Sequence, residues 1–103
     1  MKQFAISERM LAILEALEPD VPVEAKVVRL AQQELRRRLA RYQLTDQIFR
    51  QKYAMSLEEF ERNEMVKRLN YSFEVESDHQ DWDLALDGLR SIERQLNELG
   101  NVA

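Results

Sequence analysis

A mainly α-helical, elongated protein is the fold class the sequence predicts, and three observations predict it. Only two glycines and two prolines occur in 103 residues, and none of the four falls between Val23 and Asp87. With so few breakers and so much Leu, Ala, Glu, Arg and Gln, helix is the default conformation. Apolar residues recur at three- and four-residue spacing over two long stretches, and persuasive alternation appears in only one short stretch beyond the N-terminus.

Ser7 is placed to cap a first helix through about Leu17, with Met10, Ile13, Leu14 and Leu17 on one face. Pro19 and Pro22 bracket the turn EPDVP and end it. The second helix starts near Val23 and carries the stripe Val27, Leu30, Ala31, Leu35, Leu39 and Tyr42. Phe49 and Tyr53 extend that stripe, with Asp46 the one discordant position. A helix over 23–54 would be roughly 48 Å long, more than a compact domain of this size accommodates. It should project from the body or pair with a second copy. Ser56 and Glu59 form a capping box that opens a short third helix with Leu57, Phe60, Met65 and Leu69. YSFEVES then switches to period two, which predicts an extended arm near 71–76. Ser77 or Asp78 is expected to cap a last amphipathic helix along Trp82, Leu86, Leu89, Ile92, Leu96 and Leu99, stopped by Gly100. Residues MKQFAIS have the pattern of a short N-terminal strand, with Phe4 and Ile6 on one side.

The length suits one domain, or one domain with an ordered extension. There is no cysteine, which excludes disulfides and thiolate metal sites and fits a reducing compartment. No apolar run approaches the ~20 residues that span a bilayer, and the start lacks the features of a secretory peptide. A cytoplasmic protein without membrane contact is the expectation.

The net charge of −4 conceals a division. Residues 1–55 carry ten Lys/Arg against seven Asp/Glu, whereas residues 56–103 carry five against twelve. The expected organisation is an N-terminal helical dimerisation region over 1–55, with DNA binding as a further role, and an acidic partner-binding region over 56–103. Between Glu74 and Asp87 lie six acids and no Lys or Arg. Acids in a first helical turn suit the helix dipole, which accounts for Asp78 and Asp81 but not for Glu74, Glu76 and Asp87. His79, Asp83 and Asp87 share one stripe, yet three ligands on one straight helix converge poorly on a metal. Neither a nucleophile motif, a phosphate loop nor an HExxH pair is present. No enzyme activity, metal or cofactor is expected. Gly88, with Ala85 and Ile92, makes either a small-residue groove or an ordinary surface glycine.

Arg36, Arg37, Arg38 and Arg41 form a basic cluster, with Arg36, Arg37 and Arg41 the candidates for phosphate contact; the alternative is that their aliphatic stems cover the edge of a helix interface. The order strand, short helix, turn and VEAKVVRLAQQELRRRL resembles ribbon–helix–helix DNA-binding proteins. That resemblance implies a dimer and operator DNA read from the strand, here through Lys2 and Gln3.

A second resemblance rests on residues 51–96. KYAMSLEEFE, YSFEVESD and DWDLALDG match a KYxMSxEEFE stretch, a Y-S-x-E-V-E-x-D segment and a DWxxALDG helix. On these motifs the chain resembles small bacterial and archaeal antitoxins of type II toxin–antitoxin modules. Ala54 stands where that pattern usually has glycine, which hints at a tighter helix there. The resemblance implies a small basic ribonuclease-type toxin as partner. Tyr71, Phe73, Val75 and Trp82 would anchor it, and Glu74, Glu76, Asp78, Asp81 and Asp83 would supply complementary charge. The open alternative is a helical structural or adaptor homodimer in which the same aromatics form the chain's own core.

Overall fold

The computed structural model describes residues 6–102, with side chains described through Gly100. Five helices follow in order: α1 (Glu8–Leu17), α2 (Val23–Tyr53), α3 (Leu57–Arg62), α4 (Met65–Arg68) and α5 (Phe73–Val102). No strand occurs among the described residues. The strand predicted over MKQFAIS falls largely on residues 1–5, outside the described residues, as do Lys2 and Gln3.

The two long helices lie antiparallel, each roughly 45 Å long at 1.5 Å per residue. Lys52 meets Glu74, Asp46 meets Trp82, and Tyr42 covers Gly88, so the register runs continuously along the pair. The result measures 59 × 24 × 21 Å with a radius of gyration of 19.8 Å, against about 13 Å for a compact 100-residue domain. The expected elongation is present, and the long helix satisfies its apolar stripe against α5. Helices α3 and α4 close one end of this hairpin, and α1 packs beside the start of α2 at the other.

Local signals set most boundaries. Ser7 Oγ accepts the Met10 N–H at 3.2 Å, and Glu18 N–H closes α1 on the Leu14 carbonyl at 3.1 Å. The expected capping box is complete: Ser56 Oγ accepts from Glu59 N–H at 3.1 Å, and Ser56 N–H reaches Glu59 Oε1 at 3.4 Å. α2 runs unbroken through Asp46 and stops at Ala54, which is left-handed at φ 56°. The helix therefore ends at Ala54 rather than tightening there, in a conformation that disfavours any residue with a Cβ.

Three expectations are corrected. The arm near 71–76 is not extended, because α5 begins at Phe73. Ser72, rather than Ser77 or Asp78, opens it: Ser72 Oγ accepts from Val75 N–H at 3.3 Å, and the Ser72 carbonyl accepts from Glu76 N–H at 3.0 Å. Val75 also belongs to the helical stripe that continues through Trp82, and a stripe of that length outweighs three alternating residues. Glu74 and Glu76 in the first turn favour the helix through its dipole. At the other end, Gly100 does not stop α5, which runs on to Val102.

Candidate partner-binding surface

The closed end of the hairpin is an aromatic core. Trp82 is 0% exposed, with Phe49, Tyr53 and Phe60 ring centroids 5.6, 6.0 and 5.4 Å away. Leu57, Phe60 and Val75 are buried around it. A buried indole N–H needs an acceptor, and Asp46 supplies it: Trp82 Nε1 donates to Asp46 Oδ1 at 2.8 Å. The other oxygen of Asp46 pairs with Arg50 at 3.0 Å. The discordant Asp46 of the α2 stripe is thus the polar partner of the central tryptophan.

A second polar group ties the same region from outside. Lys52 Nζ lies 2.6 Å from both Glu74 and Asp78, and Tyr53 Oη donates to Asp78. Burial pushes the Asp78 carboxyl up, but hydrogen bonds from Lys52 and Tyr53 outweigh it and leave its pKa below the usual value. Burial and the Asp78 hydrogen bond push the Tyr53 phenol up to about 12. Hydrogen bonds to Asp78 and Glu74 raise the Lys52 pKa. His79 stacks against Phe60 at 5.6 Å and lies 3.7 Å from Glu61, linking α5 to α3. KYAMSLEEFE, YSFEVESD and DWDLALDG therefore meet in one place.

That convergence sorts the nine residues expected to bind a partner. Val75 and Trp82 are buried in the chain's own core and cannot anchor a partner without unfolding it. Glu74 and Asp78 are engaged by Lys52. Tyr71, Phe73, Glu76, Asp81 and Asp83 are exposed, Phe73 to 87%. At about 100° per residue, Phe73, Glu76 and Asp83 fall on one outward stripe of α5, whereas Asp81 points toward the groove beside α2. Glu76 and Asp83 form no ion pair among the described residues.

The basic cluster also divides. Arg37 and Arg38 both pair with Glu34, whose pKa the Arg38 hydrogen bond helps to lower. Arg36 and Arg41 are exposed without an ion pair among the described residues. Among the described residues no cluster of His, Cys, Asp or Glu is arranged to hold a metal, and no helix is long and apolar enough to cross a membrane.

Sequence reasoning missed three exposed large apolar residues, Leu44, Ile48 and Leu84, of which Ile48 and Leu84 line the α2–α5 groove. Their signal was available, since each is a large apolar residue off the core stripe of its helix. Comparisons with protein-family models, curated proteins and solved structures gave no match.

Proposed function

We propose that this chain is a non-catalytic, antitoxin-like cytoplasmic protein that binds and neutralises a small basic ribonuclease-type toxin through the outward stripe of α5. The observation that supports this reading best is the placement of Glu76 and Asp83, two turns apart and without ion partners among the described residues, beside the almost fully exposed Phe73. Carboxylates on a rigid helix present fixed acceptors to Arg and Lys of an RNA-binding surface. An exposed aromatic beside them supplies an anchor. The contact is a preformed helix face rather than an arm that orders on binding, so little ordering entropy opposes it.

A second reading, a structural or adaptor protein without a toxin, is favoured by the burial of Trp82 and Val75 in the chain's own core. A ribbon–helix–helix type of DNA binding would add Arg36 and Arg41 to residues outside the described ones.

Co-expression with the small basic ribonuclease-type protein captured from the host separates these readings. The antitoxin reading expects wild type to restore growth and co-purify in a fixed ratio. Glu76→Lys with Asp83→Lys should abolish both effects while helix content and thermal midpoint stay within error. Rescue that survives the double reversal, or a captured protein without toxicity, would discard the mechanism.

A further inference from the structure

We propose that the groove between α2 and α5 is a two-fold interface between copies of this chain. Tyr42, Thr45, Phe49 and Ala85 line it, together with Ile48, Leu84 and Asp81. Leu44, Ile48 and Leu84 are 56%, 51% and 66% exposed. Large apolar side chains gathered on one exposed surface mark a contact site. Arg41, Leu44 and Ile48 lie on one stripe of α2, at i, i+3 and i+7. Arg41 lines the next stretch of the groove with Arg38, Tyr42 and Thr45.

The occupant follows from charge and register. Arg41 and Asp81 are both exposed, and neither has an ion pair among the described residues. Asp81 lies beside residues 45, 48 and 49 of α2, so Leu44 sits between the levels of Arg41 and Asp81. A two-fold axis across the groove at the level of Leu44 reverses the long direction of the second copy. It brings each Arg41 to the level of the other copy's Asp81 and sets Leu84, which lies at the level of the axis, near its counterpart. A cation at one end and an anion at the other is self-complementary under that operation, which is what an isologous contact requires. The 59 Å length of the hairpin leaves room for the roughly 800 Å² per partner of a stable interface. Asp81 lies roughly 150° round α5 from Glu76 and Asp83 at helical geometry, so the Arg41–Asp81 contact is distinct from those two carboxylates and its test does not depend on the toxin reading.

The test is sedimentation of the full chain across about two decades of concentration. Wild type is expected to sediment at twice its 12.2 kDa mass. Arg41→Asp and Asp81→Arg each set like charges across both symmetric contacts, and each should weaken the dimer about tenfold or more. An equimolar mixture of the two variants recreates both opposite-charge pairs in a heterodimer and should regain nearly wild-type association. Leu84→Lys, in the groove at the level of the axis, should dissociate the dimer independently. A monomeric wild type, single variants that dimerise normally, or a mixture that stays monomeric would overturn the proposal.

Discussion

The two ends of the hairpin are built from similar material and hold together differently. At the closed end, Trp82 and Phe60 are fully buried within a ring cluster, and Asp46, Lys52 and Asp78 fasten the helices around them. At the open end, α1 has an apolar face of Met10, Ile13, Leu14 and Leu17, yet only Leu14 is buried. Its ties to α2 are Glu15–Lys26 and Glu18–Arg29, both at 2.9 Å. Helical periodicity marks which residues share a face, but burial depends on whether a second face arrives to cover it. Here the chain covers one end and leaves the other largely open.

The largest expected contrast comes from truncating one residue at each end. Trp82→Ala removes the centre of the cluster and leaves Asp46 Oδ1 without its indole partner, so chemical denaturation should show a loss of about 3–5 kcal/mol. Leu17→Ala, already largely exposed, should stay within about 0.5 kcal/mol. Equal losses would erase the distinction between the ends.

Gly88 tests how tightly the middle is packed. A Cβ there would come within 2.6 Å of the Tyr42 ring, so Gly88→Ala must displace that ring. Overpacking of this kind costs about 1–3 kcal/mol, against about 1 kcal/mol gained in helix propensity. A net loss near 1 kcal/mol is expected in thermal unfolding, turning into a gain when Tyr42→Ala is added. Gly88 is thus neither a groove for another backbone nor an ordinary surface glycine.

Ala54 offers a change of opposite sign. Replacing it with glycine relieves the left-handed strain, and Ala54→Gly should raise stability by about 0.5–1 kcal/mol in the same assay.

The pH dependence should also belong to the closed end. Tyr53 keeps its proton in the folded state up to about pH 12, whereas the unfolded phenol loses it near its ordinary value of about 10. The folded state then binds more protons between those values. Its contribution is complete below the unfolded pKa and is lost as pH rises through the folded one. Lys52, also raised, acts in the same direction. For Asp78, whose pKa is lowered, stability present above the ordinary carboxylate range is lost as pH falls through the folded value. Denaturation midpoints of Tyr53→Phe should be flatter than wild type above about pH 10, and those of Asp78→Asn flatter in acid. Unchanged slopes would remove this network from the account.

Most of the fold was legible in the sequence, because its determinants are local. Ser7, the Pro19–Pro22 turn, the Ser56–Glu59 box and the two long stripes each act within a few residues. The arm was misread because Tyr71, Phe73 and Val75 also satisfy period two over a span too short to decide. The site was less legible for a different reason. Whether Glu74 and Asp78 face a partner depends on Lys52, 22 and 26 residues earlier, and no local pattern connects them. Trp82 read as an anchor as readily as a core residue, until Phe49, Tyr53 and Phe60 were brought around it by the turn between the long helices.

The continuous register of α2 and α5 also predicts an order of assembly. The Asp46–Trp82 bond closes a separation of 36 residues, whereas pairing residues 31 and 99 first would close nearly twice that, and longer loops cost more entropy to close. Contacts near the turn are therefore expected to form first, each further helical turn then adding its neighbour without a new closure. Substitutions around Trp82 should slow folding, while those near Ile92 should mainly speed unfolding. On this expectation the protein closes from its aromatic end in the manner of a zip, and Gly88 lies where the fastening passes Tyr42.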